Sequence, residues 1–242
     1  MSFNNLKVFA LIPARKNSTG LKDKNIYSIN GRLLIDFTID AAVNSSNVDQ
    51  IFVSSDSNFI LSHALKFEKT KAIKRPEKFS NNQSTAVDVV NHFLNSSPMN
   101  DLINSEEDFF IVYLQPTSPL RDASHINQSF ELLAQKNQNT LISVVENIFS
   151  PYKSFVIKEN NLVESLFDQS LSNSNRQDLP KTFRANGSIY IFRASDFIRI
   201  KGFPSNKSIP FIMNEVDSLD VDSYREIEQL KCELDKREKV EL

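Results

Sequence analysis

Short apolar runs with almost no polar interruption recur along the chain, each too brief to be a helix. Val8–Pro13 (VFALIP) and Asp108–Leu114 (DFFIVYL) are the strongest; Ile51–Ser54, Ala72–Ile73, Leu141–Val145 and Ser188–Phe192 (SIYIF) follow the same form. A run of this length without alternation reads as a strand covered on both faces. Between the runs, apolar residues fall at helical spacing over Leu33–Val43, Asn58–Phe67, Thr85–Leu94 and Ile126–Leu133, with Ser84 placed to cap the third. Strands separated by helices form βαβ units, so the expected fold is α/β with a mostly parallel sheet flanked by helices. Such sheets bind ligands beyond the carboxyl ends of their strands. The loops after Pro13, Ser54, Ile73 and Leu114 are therefore the places to search.

The pattern changes after Glu146. Tyr152–Lys158 and Leu162–Leu166 read as a hairpin about the polar turn Asn160–Asn161, and a Ser-, Asn- and Asp-rich stretch follows to Asp178. We expect one domain over 1–242, with 147–182 inserted as a sub-domain or dimerisation arm. Ser223–Lys239 reads as a charged amphipathic helix.

Composition removes several classes. The only glycines are Gly20, Gly31, Gly187 and Gly202, which rules out a GxGxxG fingerprint, a Walker A loop and a GxSxG elbow. One cysteine, Cys232, leaves no disulfide framework, and His63, His92 and His125 are dispersed with no metal-ligand spacing. With 28 Lys+Arg against 30 Asp+Glu the net charge is −2, so bulk electrostatics do not draw this chain to nucleic acid. No apolar run approaches the ~20 residues that span a bilayer, and a cytoplasmic location is the expectation.

The unusual residues sit in the loops after the strands. Ile12–Asn25 (IPARKNSTGLKDKN) carries Arg15, Lys16, Lys22 and Lys24 directly after a buried strand, a setting for a polyanion; Gly20 permits tight backbone there. Arg spans two phosphate oxygens where Lys supplies a point charge. Leu114–Arg121 (LQPTSPLR) offers Gln115, Thr117 and Ser118 between two prolines, a rigid uncharged surface suited to a base edge or a sugar hydroxyl. Asp220-Val221-Asp222 places two carboxylates on one side of an extended segment, a pattern that holds Mg²⁺ beside phosphate, although Asp222 could equally cap the last helix. Arg75, Lys153, Arg176 and the Arg184–Gly187 stretch add cations and a strand-entry glycine.

Taken in order, IPARKNSTGLKDKN, RPEKFSNNQST (Arg75–Thr85), LQPTSPLR, FRANGSIYIF (Phe183–Phe192) and SLDVD (Ser218–Asp222) resemble the CMP-sialic acid synthetases, or acylneuraminate cytidylyltransferases, over nearly the whole chain. The resemblance implies a Rossmann-like domain of the nucleotide-diphospho-sugar transferase type with a late dimerisation element. It also implies transfer from CTP to a nine-carbon 2-keto sugar acid, giving the CMP-sugar and pyrophosphate with Mg²⁺ (or Mn²⁺), by a homodimer. Nucleotide contacts would fall on Ala14, Arg15, Ser18, Lys24, Asn25, Arg75 and Ser84. Gln115, Thr117 and Ser118 would face ribose or sugar acid, and Lys153, Arg176, Arg184 and Asn186 would line the sugar side. Asp220 and Asp222 would hold the metal, with Arg15 and Lys24 as the other catalytic groups. Two positions depart from the family pattern: Thr19 stands where Lys is usual, and Asn82 where relatives tend to carry Asp. A CMP-KDO-type synthetase, a DxD sugar transferase and a non-catalytic nucleotide-binding homologue are the alternatives.

Overall fold

The computed structural model describes residues 3, 5–17 and 20–240. Seven strands form one sheet: β1 Lys7–Pro13, β2 Gln50–Ser55, β3 Thr70–Lys74, β4 Phe109–Tyr113, β5 Leu141–Glu146, β6 Phe183–Arg193 and β7 Ile209–Ile212. Their order across the sheet is β3-β2-β1-β4-β6-β5-β7. β6 runs antiparallel to both its neighbours; every other pairing is parallel. The expected mostly parallel α/β sheet is therefore present.

The register of β1 explains why its sequence is apolar throughout. Ala10 lies between Ile51 of β2 and Val112 of β4, at the centre of the sheet. Val8, Ala10 and Ile12 point to one face, where they join Ile35 and Ile39 of the helix Leu34–Val43 and Phe130 of the helix Ala123–Lys136. Phe9 and Leu11 point to the other and meet Val90 and Phe93 of the helix Ala86–Leu94 and Phe197 of the helix Ala194–Ile200. Two buried faces leave no position for a polar residue.

A third apolar cluster matters most for the site. Leu21, Ile29, Leu34, Phe37 and Leu120 pack with Leu219, Val221, Ile227 and Leu230. It fastens the segment after β1 to the end of the chain, where the helix Tyr224–Val240 begins. No helix among the described residues is long and apolar enough to cross a membrane.

The observed boundaries differ from the sequence expectation in places with clear causes. The third helix is capped by Thr85, not Ser84: its hydroxyl accepts from Asp88 N–H at 3.2 Å while the Asp88 carboxylate accepts from Thr85 N–H at 2.8 Å. That reciprocal pair satisfies two orphan donors at once, which Ser84 one residue earlier cannot do. β6 extends over Phe183–Arg193, interrupted between Ala185 and Tyr190, so only its regular half shows in the pattern SIYIF. The helix Ser97–Asn104 (SPMNDLIN) was unexpected because its polar sequence carries only a narrow apolar stripe.

The stretch 147–182 leaves the sheet between β5 and β6 and carries the expected hairpin, Phe155–Ile157 paired with Val163–Ser165. Its surface is more apolar than the sequence suggested. Phe149 is 85% exposed, and Ile157, Leu162, Val163 and Phe167 also stand open to solvent.

Core contributions should separate by magnitude. Phe93→Ala, which empties a fully buried position against Phe52, is expected to lower unfolding free energy by roughly 3–5 kcal/mol. Thr85→Ala should cost about 1 kcal/mol through the lost cap. Urea denaturation of the two variants checks the ranking; equal losses would contradict it.

Candidate active site

A cleft of about 360 Å³ opens at the carboxyl ends of β1 and β4. Arg15, Lys24, Asn25, Arg75, Ser84, Gln115, Thr117, Asp220 and Asp222 all line it, so nine of the expected site residues converge although they lie up to 207 positions apart.

Local bonds fix each of them. The Arg15 guanidinium donates to the Asn81 carbonyl at 3.1 Å and to Asn82 Oδ1 at 3.0 Å, so two neutral acceptors hold its fork without cancelling its charge. Buried Asn25 donates to the Arg15 carbonyl at 2.9 Å and thereby acts as a strut for the loop. Arg75 is only 3% exposed and donates to Ser80 Oγ at 3.1 Å; burial lowers its pKa, against the pull of nearby Tyr113 and Asp56. Burial in turn raises the Tyr113 phenol. Ser84 Oγ bonds the Lys78 carbonyl at 3.2 Å and Asn81 Oδ1 at 3.1 Å, closing the turn that carries Arg15's acceptors.

The acidic side of the cleft is bound to the rest by backbone. Val221 N–H donates to the Thr117 carbonyl at 2.8 Å. Loss of hydration raises the Asp220 carboxyl above its ordinary range, and the like charge of Asp222 adds to this; the Thr117 hydroxyl and Lys24 oppose it. Asp222 pairs with Lys24 at 2.6 Å across the mouth of the cleft. Gly20 sits against the Asp222 carbonyl so closely that any Cβ would collide with that backbone oxygen. Glycine is required here by a backbone-to-backbone approach.

Other expected residues stand elsewhere. Ala14 is buried and its N–H is already used by the Ser54 carbonyl at 2.9 Å, so that amide does not read a base. Ser118 is fully buried behind the cleft with its hydroxyl unpartnered. Asn186, 6% exposed, accepts from Ser143 Oγ at 2.6 Å and donates to Ser218 Oγ at 2.9 Å, so its side chain braces the fold. Arg184 lines a second hollow that shares Asp220 with the main cleft. Lys153 and Arg176 belong to the arm: Lys153 donates to the Ser172 carbonyl at 3.3 Å, and Arg176 bonds the Ile148 carbonyl. Neither reaches the cleft of its own chain. Ser18 and Thr19 lie outside the described residues. Sequence reasoning missed Asp56, which accepts from Lys16 N–H at 2.7 Å; its signal was a lone Asp directly after β2, in one of the loops at the carboxyl ends of the strands.

Among the described residues no cluster of three or more His, Cys, Asp or Glu forms a metal cage. Two carboxylates beside a basic loop match the donor set that Mg²⁺ uses when phosphate supplies further ligands.

A family model described as Cytidylyltransferase matches residues 9–239. The chain belongs to the cytidylyltransferase family. Relatives include the N-acylneuraminate cytidylyltransferase of Streptococcus agalactiae serotype V, 31% identical over 90% of this chain; the match spans 51% of that protein, so this chain covers about half its length. The pseudaminic acid cytidylyltransferase of Campylobacter jejuni is 25% identical over 93% of this chain and 95% of its own. Among solved structures, the CMP:2-keto-3-deoxy-manno-octonic acid synthetase complexed with CTP superposes with a TM-score of 0.66 at 15% identity, covering 96% of this chain and 99% of that one. That last likeness is one of fold, and it agrees with the Rossmann-like expectation. The cleft is lined by Arg15, Lys24 and Arg75 and faced by the carboxylates of Asp220 and Asp222.

Gly20→Ala is expected to push the first loop off Asp222, destabilising the fold by roughly 1–3 kcal/mol as an overpacked contact does. It should also weaken CTP binding about tenfold or more, because Lys24 is carried on the same loop. Calorimetric titration with CTP checks this; wild-type affinity in the variant would contradict it.

Proposed function

We propose that this chain activates a nine-carbon 2-keto sugar acid of the sialic acid type, joining it to CMP from CTP and releasing pyrophosphate. The observation that carries this reading is the convergence, in one cleft, of three fixed cations with Asp220 and Asp222. The relatives named for acylneuraminate and pseudaminic acid transfer add support.

The chemical task is attack by an anomeric hydroxyl on the α-phosphorus of CTP, with the α–β bridging oxygen leaving on pyrophosphate. Positioning and charge neutralisation do most of the work in such transfers. Arg15, pre-aligned by Asn81 and Asn82, would clamp phosphate oxygens as charge shifts toward the leaving group. Lys24 would turn from Asp222 to the triphosphate, an exchange its exposed partner permits. Asp220 and Asp222 would hold Mg²⁺ (or Mn²⁺), which supplies charge neutralisation on the phosphates when bound. Gln115 and Thr117, rigidly presented between prolines, would meet the uncharged edge of the nucleotide or sugar. Arg184, in the adjoining hollow, suits the sugar carboxylate.

We assign the arm, 147–182, to contact with a second copy of this chain. Nine of the large apolar side chains left exposed among the described residues lie between Ile148 and Phe167, within the arm. A surface of that composition marks an interface. Its cations Lys153 and Arg176 are absent from their own cleft and are held, among the described residues, only by carbonyls of the arm, so their charge is uncancelled and would complete a partner's cleft.

Pyrophosphate release, measured with each triphosphate and with N-acetylneuraminate, legionaminate, pseudaminate and the eight-carbon KDO, tests the reaction. CTP with at least one nine-carbon acid should far exceed every other combination; equal use of all triphosphates, or turnover of KDO alone, rejects it. Assembly is tested by sedimentation and by mixing Arg15→Ala with Arg176→Ala chains. A dimer in which mixing restores activity, through the one intact hybrid site, is expected; a monomer or absence of rescue removes the shared site.

A further inference from the structure

Arg121 is the largest side chain that is fully buried, at 1% exposure, and it has no carboxylate partner among the described residues. The neighbouring Asp122 is turned away and occupied by His125, 2.8 Å from its ring nitrogen. Instead the guanidinium donates to Thr38 Oγ1 at 2.8 Å and to the carbonyls of Gln115 and Ser118, each at 3.3 Å; its Nε is unpartnered. Burial pulls its pKa down to about 9. A buried charge without a counter-ion is costly, and an apolar side chain of similar shape is commonly as stable or more so. Fold stability alone therefore does not account for arginine at this position.

Its partners show what it does. The two carbonyls it grips begin and end the turn that presents Pro116 and Thr117. That turn is further defined by Ser118 N–H bonding the Gln115 carbonyl at 3.3 Å, and Arg121 N–H bonding the Ser118 carbonyl at 3.4 Å. The Gln115 carboxamide packs so close over Gly187 that a Cβ there would sit 2.6 Å from Oε1, so a side chain at 187 would displace it. Thr117 in turn accepts from Val221 N–H through its carbonyl at 2.8 Å, which ties the turn to the segment that carries Asp220 and Asp222.

We infer that Arg121 is a positioning residue: a buried fork, oriented by Thr38, that sets the shape of the Gln115–Ser118 turn and, through Thr117, the placement of Asp220 and Asp222. The inference rests on the cytidylyltransferase reading for its effect on rate, while its structural half stands independently. Lysine cannot reproduce the fork, because one ammonium does not reach two carbonyls and a hydroxyl in a plane.

The test uses the full chain and the variants Arg121→Met, Arg121→Lys, Thr38→Val and Thr38→Ser. Two quantities are read: exchange of the Val221 amide by NMR, with the Val112 amide in β4 as reference, and steady-state kinetics with CTP. Arg121→Met should keep a thermal midpoint close to wild type while exchange at Val221 accelerates roughly tenfold or more and Val112 is unchanged. In Arg121→Met, Arg121→Lys and Thr38→Val, kcat should fall about 10–100-fold with a much smaller change in the KM for CTP, the scale of losing a supporting contact. Thr38→Ser, which keeps the hydroxyl, should recover most of that loss. Wild-type exchange at Val221 together with wild-type kcat in Arg121→Met would overturn the inference. If that variant does not fold, Thr38→Val decides on the same two readings. A wild-type chain inert toward CTP would reject the proposed reaction, and exchange at Val221 would still decide the role of Arg121.

Discussion

The acidic wall of the cleft hangs from a single main-chain hydrogen bond, Val221 N–H to the Thr117 carbonyl at 2.8 Å. Asp220 and Asp222 flank that bond on an otherwise irregular segment, so their separation from the loop after β4 is set by backbone and not by side-chain choice. The apolar cluster of Leu21, Leu120, Leu219 and Val221 removes water from around it. Shielding of this kind makes a peptide hydrogen bond worth more and its loss more costly. The opposite wall is built differently, from long cations: Arg15 and Arg75 are anchored by neutral oxygens, and Lys24 reaches across to the Asp222 carboxylate. One wall is stiff and the other adjustable, a combination that suits a ligand whose charge is redistributed during reaction.

Burial on both faces is why so much of the fold was legible. β1 and β4 announce themselves because a central parallel strand admits no polar residue, and the helices between them repeat at 3.6 residues. What escaped notice had weaker physical signals. SPMNDLIN makes a helix chiefly because Met99 finds a pocket beside Phe93, a tertiary cause that no local pattern reveals. β7 is four residues at the edge of the sheet, and the left half of β6 is irregular.

The site shows the same division. Arg15, Lys24, Asn25, Arg75, Gln115, Thr117, Asp220 and Asp222 reach the cleft as their loop positions suggested. Ala14 and Ser118 belong to the same segments but point into the protein, because a turn must bury some of its polar groups to expose the others; Asn186 stands with Arg184 at the wall of the second hollow, its amide spent on Ser143 and Ser218. Residue type could not tell these apart; only the partner of each donor does. Lys153 and Arg176 remain with the arm for a further reason: the distance from arm to cleft within one chain is a property of the whole sheet.

The pairing of Lys24 with Asp222, and the seating of Gly20 on the Asp222 carbonyl, join the first loop of the chain to a segment about 200 residues later. During synthesis β1, β2 and β3 have one another as partners early, whereas one neighbour of β4 is β6, and the mouth of the cleft does not exist until residue 222 has emerged from the ribosome. Closing so long a loop is entropically dear and is made last. A nascent chain of this protein therefore presents its basic loop without an acidic counterpart for most of its translation. The mouth of the cleft is completed in one late step, when the final helix docks.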